Sequence, residues 1–273
     1  MPELPEIENL KRSLEPYLPG QRIQSVEVRR SEVIKHPDAD SFVRDLCGKQ
    51  IKSLSRRGKY LRIHMEDGSM LVAHLRMTGR LLYSEPEQAE LPHTHLCFQL
   101  ENGLLRYSDV RRFGCLWLIA PWEDDDFTGM AKLGPEPLEE GFSAACLMQR
   151  LSSRKTSIKQ GILDQGVIAG LGNIYADEAL FEAGILPQRL CSSLRPEEWQ
   201  TLAAAIPPIL NSAIQHRGTS FSDYLDGEGR KGENQMFLKA YQRGGEPCLR
   251  CGARMEKTRV AGRGTCFCPR CQK

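Results

Sequence analysis

Residues 1–20 read MPELPEIENLKRSLEPYLPG. Ile7, Leu10, Leu14 and Leu18 recur at helical spacing and give one apolar face. Pro5 suits the first turn of a helix, and Pro19-Gly20 ends it, so a helix is predicted over 5–18. Beyond Gly20 the period changes from helical to alternating. Residues 22–30, 51–56, 59–65, 69–77, 80–84, 95–100, 104–110 and 115–120 are short runs rich in Val, Ile, Leu and aromatics. Turns such as Glu66-Asp67-Gly68 and Glu101-Asn102-Gly103 separate them. Many short strands with regular turns predict an antiparallel sandwich or barrel, with the first helix as its flank. Residues 38–46 read as a second short helix.

The same opening stretch carries reactive groups. Once Met1 is removed, Pro2 becomes the N-terminus and bears a secondary amine. An α-amine titrates near ~7.7–8.0, so much of it is neutral and nucleophilic at cellular pH. Lysine needs a large pKa shift to reach that state. With Glu3 and Glu6 beside it, Pro2 has the parts for Schiff-base chemistry. A plainer reading is the favoured one from these residues alone: Pro5 starts a helix, and the acidic side chains suit its first turn.

At 273 residues the chain is long enough for two domains. No run of 18 apolar residues suggests a membrane span, and the acidic, proline-bearing start does not resemble a signal peptide. A cytoplasmic location with no membrane partner is the expectation. Net charge is only +2, but it is unevenly spread. Ten acidic residues fall in three stretches, around 85–90, 123–126 and 136–140. Setting them aside leaves 25 acidic side chains against 37 basic ones, as suits a polyanion bound on one face. The ten cysteines do not imply a disulfide framework in a chain without a secretion signal.

The acidic stretch after residue 120 reads as a linker. Beyond it the period is helical over 144–152, 157–163, 174–183 and 196–215, with a break or kink expected at Pro207-Pro208. Ala169-Gly170-Leu171-Gly172-Asn173 is a glycine turn opening a helix, whose free N–H groups would suit a phosphate. Residues 218–233 form a glycine-rich polar loop.

The strongest local motif is C-terminal. Cys248-x2-Cys251 and Cys268-x2-Cys271 are separated by sixteen residues. That spacing fits a tetrahedral four-thiolate zinc, with no open coordination position and so a structural role. The connection is basic and reads as a β-hairpin presenting Arg263. Cys266 is a fifth nearby thiol whose spacing sets it apart. In Asp109-Val110-Arg111-Arg112-Phe113-Gly114, two guanidinium groups stand beside an aromatic at a strand end before Gly, as suits insertion into a base stack beside a phosphate. Met77, after His74-Leu75-Arg76, would be a flexible apolar wedge. Lys59, in Arg56-Arg57-Gly58-Lys59, could reach a phosphate. Each of these taken alone is more often a solvated strand edge.

Taken together, PELPE at 2–6, RRGKYL at 56–61, HLRM at 74–77, DVRRFG at 109–114, LGPEPL at 133–138, AGLGNIYADE at 169–178 and the four-cysteine finger with VAGRGT resemble bacterial formamidopyrimidine-DNA glycosylase. The matches run in order along almost the whole chain. PELPE, rather than the PEGPE of endonuclease VIII relatives, places the resemblance on the oxidised-purine branch.

The resemblance implies an α+β multidomain fold: an N-terminal antiparallel β-sandwich flanked by helices, a helix–two-turn–helix domain, and a four-cysteine zinc-finger β-hairpin. The boundaries it suggests are 1–121 for the catalytic sandwich, 122–140 for the linker, 141–235 for the helical domain with a lesion-recognition loop, and 236–273 for the finger. It implies a monomer acting on double-stranded DNA that contains oxidised purines or abasic sites, with one structural zinc and no redox cofactor. Pro2 would be the nucleophile, Glu3 the acid, Glu6 an orienting or proton-relaying group, and Lys59 a further catalytic residue near the lesion phosphate. Met77, Arg111 and Phe113 would fill the gap left by an everted nucleotide. His93, Arg112, Lys155, Lys159, Asn173 and Arg263 would contact DNA. Thr219, Ser220 and Tyr224 would belong to the loop around the everted base.

The chain departs from the family pattern at Thr78, where some relatives carry Glu, and at Gln242, Cys266 and Pro207-Pro208. The loop after Thr219 also varies. Two rival readings stand beside the main one: an endonuclease VIII-like enzyme for oxidised pyrimidines, and a non-catalytic zinc-ribbon protein that binds damaged DNA.

Overall fold

The computed structural model describes residues 1–221 and 223–273; Ser222, in the glycine-rich loop, lies outside them. The chain divides into two compact units, Met1–Ala131 with His216–Glu233, and Lys132–Gln215 with Asn234–Lys273.

The first unit opens with α1 (Leu4–Leu14). The helix ends four residues before the predicted limit. Pro16 has no N–H to reach the Arg12 carbonyl, so the chain leaves in tight turns. Leu18 is nonetheless fully buried with Ile7, Leu10 and Leu14. The strands are β1 (Ile23–Val28), β2 (Ile34–His36), β3 (Ile51–Arg57), β4 (Tyr60–Met65), β5 (Met70–His74), β6 (Gly79–Ser84), β7 (Thr94–Leu100), β8 (Leu104–Asp109) and β9 (Cys115–Ile119), with α2 (Ala39–Leu46) between β2 and β3. They form a four-stranded sheet, β1-β7-β8-β6, and a five-stranded sheet, β2-β9-β5-β4-β3.

Neighbours are antiparallel except β2, which joins β9 in parallel. β2 has three residues, too few for alternation to reveal it. Leu61, Ile63 and Leu71 of the larger sheet meet Leu81, Leu96, Phe98 and Leu105 of the smaller in one contiguous core, which α1 and Phe42 of α2 also enter. Each such side chain contributes roughly 1.5–3 kcal/mol by leaving water.

Two loops are tied into this unit. The acidic stretch after Ile119 is not a free linker at its start. It forms short helical turns at Asp126–Thr128 and Met130–Lys132, and the Tyr60 hydroxyl donates to the Thr128 carbonyl at 3.0 Å. The glycine-rich loop, which its place in the chain groups with the helical segments, bonds instead to α1 and β6. Gly227 N donates to Ser13 Oγ at 2.7 Å, and Tyr83 N to the Gly227 carbonyl at 2.8 Å.

The second unit holds α3 (Ala144–Leu151), α4 (Ile158–Leu163), α5 (Asn173–Ala183), α6 (Pro196–Gln215) and the hairpin β10 (Glu256–Val260)–β11 (Arg263–Phe267). Ser143 and Ser157 cap α3 and α4 by accepting from main-chain N–H groups three residues on. α5 is apolar almost all round and is the unit's core helix, with Ile174 to Phe181 buried.

Of the break or kink expected at Pro207-Pro208, no break occurs: α6 runs through both prolines. Each proline forfeits one main-chain hydrogen bond. The buried stripe of Trp199, Leu202, Ile206, Leu210 and Ile214 continues across them against α5 and α3, and packing outweighs the loss. Among the described residues, no helix is long and apolar enough to cross a membrane.

Candidate active site and nucleic-acid interface

The N-terminal residues are built into the first turn of α1. Glu3 is the N-cap, and Glu3 and Glu6 form a reciprocal capping box. One Glu6 oxygen accepts from Glu3 N at 2.7 Å, and the other accepts from Thr219 N at 2.8 Å. The Tyr224 hydroxyl donates to the Glu6 carbonyl at 3.0 Å. Pro2, Glu3 and Glu6 are all buried. Gly218 makes this approach possible. Its φ is +78°, and a Cβ there would sit 2.9 Å from a Glu6 carboxylate oxygen.

Thr219 and Tyr224, expected near an everted base, thus grip the start of α1. Ser220 is tied within its own loop, donating to the Tyr224 carbonyl at 2.9 Å and accepting from Gly232 N at 2.9 Å.

Lys59 occupies the two-residue turn joining β3 to β4 and is only 5% exposed, unusual for a lysine at a hairpin tip. Its charge is felt at His74, at the end of β5. Burial, then the charges of Arg76 and Lys59, push the His74 pKa down to about 3. The ring stays neutral, and its Nδ1 accepts from Arg76 N at 3.1 Å. The histidine therefore adds no charge to that of Lys59 and Arg76.

Glu8, on the next turn of α1, answers part of this charge. It pairs with Lys11 at 3.1 Å, Arg12 at 2.8 Å and Arg56 at 3.2 Å. Burial raises its pKa, but hydrogen bonds from Arg12 and Lys11 and the nearby charges outweigh that, so the net shift is downward from 4.5. A depressed folded pKa means this stabilisation is complete above about pH 4.5 and fades as pH falls through the lower folded value. Glu8→Gln is expected to cost about 1–3 kcal/mol at pH 7, with the difference from wild type shrinking in acid. Urea unfolding at pH 7 and pH 3 measures both; a pH-independent difference would show that the charge is not what matters.

The proposed wedge residues are exposed: Met77 by 39% and Phe113 by 52%, with Arg111 also in solvent. The Arg111 guanidinium lies over the Phe113 ring at 4.7 Å. Beneath them Asp109, 1% exposed, accepts from Thr78 Oγ1, Arg111 N, Gly114 N and the Tyr107 hydroxyl. A Cβ on Gly114 would fall 1.7 Å from the Tyr107 oxygen, so the loop closes only over glycine. Arg76, His93 and Arg112 all have left-handed φ, between 54° and 64°. Such backbone costs on the order of 1–3 kcal/mol per residue and clusters at functional surfaces. His93 and Arg112 are exposed. Asp109, Thr78 and Tyr107 carried no assigned role in the sequence because their partners lie up to 33 residues away.

In the second unit, Asn173 begins α5 and donates through Nδ2 to the Gly264 carbonyl at 3.2 Å. Lys155 is exposed just before α4, and Arg263 is exposed at the start of β11, immediately after the hairpin turn. Lys159 differs from expectation. It is fully buried, pairs with Asp177 at 2.6 Å, and donates to Thr265 Oγ1 at 2.7 Å and the Gly264 carbonyl at 3.1 Å. Its ammonium has no solvent face to offer a phosphate and instead clamps the finger hairpin to α5.

Asp177 also accepts from Cys266 N at 3.2 Å. Burial pushes its pKa up to about 6 against the pull of Lys159. Glu178, next to it, accepts from the N–H groups of Lys239, Ala240 and Tyr241 at 2.8 Å each and so fixes the approach to the finger.

Cys248, Cys251, Cys268 and Cys271 bring their sulfurs within 4.8 Å of one another. Two of the separations are 3.5 and 3.9 Å, against about 3.8 Å for a tetrahedron of 2.3 Å Zn–S bonds. Main-chain N–H groups of Arg250 and Cys271 point at the sulfurs of Cys248 and Cys268. The four thiolates fit one structural zinc. Cys266 lies outside the cluster.

A proline–glutamate start on a sandwich, a two-turn helical motif and a four-thiolate finger are joined in known DNA-repair glycosylases. Residues 1–116 match the formamidopyrimidine-DNA glycosylase N-terminal domain, 133–224 its H2TH domain, and 245–273 the zinc finger found in FPG and IleRS. The formamidopyrimidine-DNA glycosylase of Desulforamulus reducens is 50% identical over 275 residues, covering 100% of this chain and 99% of that one. That of Desulfitobacterium hafniense is 46% identical across the full length of both. The Lactococcus lactis Fpg complexed with abasic-site DNA superposes with a TM-score of 0.93 at 38% identity, covering 99% of each chain. The wild-type L. lactis enzyme with DNA containing an oxidised pyrimidine gives 0.92 at 38% identity over the whole of both. The chain belongs to the formamidopyrimidine-DNA glycosylase family.

Proposed function

We propose that this chain excises oxidised purines, 8-oxoguanine and formamidopyrimidines, from duplex DNA and then cleaves the strand at the abasic sugar. The observation that carries the reading is the N-terminal constellation. Pro2 and Glu3 are buried at the head of α1, and a single carboxylate, Glu6, fixes Glu3 N and Thr219 N together.

With Met1 attached, the Pro2 nitrogen is an amide and cannot attack. Once Met1 is removed, its lone pair can bond to C1′ while the base leaves with the glycosidic electrons and takes up the proton that the Pro2 nitrogen sheds. Glu3 donates a proton as the C1′–O4′ bond opens, leaving an iminium on Pro2. The iminium is an electron sink. Loss of the C2′ proton expels the 3′ phosphate, and a second elimination expels the 5′ phosphate. Both carboxylate oxygens of Glu6 are engaged by main-chain N–H groups, which supports an orienting role over a relay.

Reaching C1′ requires the nucleotide out of the stack, at a cost of a few kcal/mol. Met77, Arg111 and Phe113 would offset this by filling the gap, with Arg111 facing the orphaned base. Lys59, His93, Arg112, Lys155, Asn173 and Arg263 would hold phosphates, and Lys159 would hold the hairpin that presents Arg263. Thr219, Ser220 and Tyr224 would shape the loop beside the everted base. The zinc supplies no reacting group. A monomer in the cytoplasm suffices for this chemistry.

Borohydride reduction tests the imine directly. Protein lacking Met1 is expected to be trapped covalently on an 8-oxoguanine·cytosine duplex, and Pro2→Gly to lose most of that product. Absence of trapping by wild type would leave a protein that only binds damaged DNA. Equal trapping by the variant would move the nucleophile to a lysine. Because a relative is seen with an oxidised pyrimidine, thymine glycol is the comparison substrate. Faster release of thymine glycol than of 8-oxoguanine would favour the pyrimidine branch.

A further inference from the structure

The wedge residues come from two loops far apart in sequence; the β6–β8 ladder pairs Gly79 with Asp109, and beyond it one side-chain hydroxyl ties the Met77 loop to the Arg111 loop. Thr78 directly follows Met77. Its Oγ1 donates to Asp109 Oδ1 and accepts from Arg111 N at 3.1 Å. The same Asp109 oxygen accepts from Arg111 N at 3.2 Å, while the other holds Gly114 N at 2.8 Å and the Tyr107 hydroxyl at 3.2 Å. His95 bonds the Asp109 carbonyl at 2.7 Å, and Asp109 N donates to the His93 carbonyl at 3.1 Å. Asp109 is therefore fixed from every side by the small sheet. Among these bonds, those of Thr78 are the ones that reach the Met77 loop.

We propose that Thr78 and Asp109 form a positioning unit that locks Met77 to Arg111 and Phe113, so that the three enter the base stack as one body. A buried carboxylate gives the hydroxyl a strong acceptor, and charge-assisted bonds of this kind are shorter and stronger than neutral ones. Without the hydroxyl, Met77 keeps its chemistry and the strands keep their pairing, but the side-chain tie that holds Met77 to the Arg111–Phe113 loop is lost. This inference rests on the wedge assignment in the proposed function.

The test compares Thr78→Val, which keeps the shape and removes the hydroxyl, with Thr78→Ser, which keeps the hydroxyl. Protein lacking Met1 is mixed with an 8-oxoguanine duplex carrying 2-aminopurine beside the lesion, and the fluorescence change on insertion is followed by stopped flow. Cleavage of a single-stranded abasic oligonucleotide, which needs no wedge, is measured in parallel.

Thr78→Val is expected to slow insertion and duplex excision by about 10–100-fold, the worth of a hydrogen bond to a charged group. Single-stranded cleavage should stay within roughly twofold of wild type, and Thr78→Ser should recover most of the insertion rate. Insertion by Thr78→Val at the wild-type rate overturns the inference, as does equal impairment of both variants. Loss of single-stranded cleavage by Thr78→Val would mean general damage to the fold and also overturns it. A wild type that cleaves neither substrate overturns the functional reading itself, a distinct result.

Discussion

Glu3→Gln is expected to lower release of 8-oxoguanine from an 8-oxoguanine·cytosine duplex by about 10²–10⁴-fold, the usual worth of a positioned general acid. Cleavage of a preformed abasic site should fall far less, by roughly tenfold or under. The geometry separates the proposed acid role of this residue from its capping role. As N-cap of α1, Glu3 shares a capping box with Glu6, and glutamine retains a side-chain oxygen to accept the same N–H. The Glu6 carboxylate would still hold residue 3 and Thr219 through their main-chain N–H groups. The variant therefore keeps the head of the helix and loses only the proton.

That proton matters most while the base is still attached, because ring opening must then be driven by protonating O4′. An abasic sugar already equilibrates with its open aldehyde, with which the proposed nucleophile Pro2 would condense directly. Single-turnover assays on both substrates measure the split. Equal losses on the two would mean that Glu3 acts in the eliminations or in holding Pro2.

The sheets are legible in the sequence because their strands alternate and their turns carry glycine. β2 is invisible at three residues, and apolar spacing through Leu18 carries α1 too far because it masks Pro16. At Pro207 and Pro208 the helix continues where the local rule allowed a break, because a buried stripe runs across both prolines. At the site, the groups that would touch DNA stand out because they are chemically conspicuous, as with Arg111, Phe113 and the four cysteines. The groups that hold them do not. Asp109, Thr78, Asp177 and Glu178 act through main-chain N–H groups and partners tens of residues away, and nothing in their neighbours' spacing encodes that. Lys159 shows the cost of reading charge without burial, since a basic residue expected to contact DNA proves to be an interior clamp.

Zinc removal is expected to have the largest effect on binding. Chelation, or Cys251→Ser, should unfold residues 245–273 locally and reduce affinity for damaged and undamaged duplex alike. The finger has little core of its own, with Met255, Cys248 and Cys268 meeting Phe181 and Ala240. A structural zinc contributes on the order of 10–16 kcal/mol in isolated fingers, more than so small a cluster can replace. Loss of the metal frees the hairpin ends, and with them Gly264 and Thr265, which Lys159 grips. The buried Lys159–Asp177 pair then loses the hydrogen bonds that made its burial tolerable, so the damage reaches the start of α5.

The sandwich draws its stability from a separate core and should be spared. Hydrogen exchange therefore distinguishes the outcomes: amides of β10 and β11 lose protection on chelation while those of β4, β5 and β8 keep theirs. Arg263→Ala calibrates the binding arm, since removing one phosphate contact should lower the salt slope by about one. Chelation should lower the slope by more than that, because every phosphate contact that depends on the folded hairpin is lost at once. A chelated protein with unchanged affinity and salt slope would show that the finger, though fitted to its metal, does not hold the DNA.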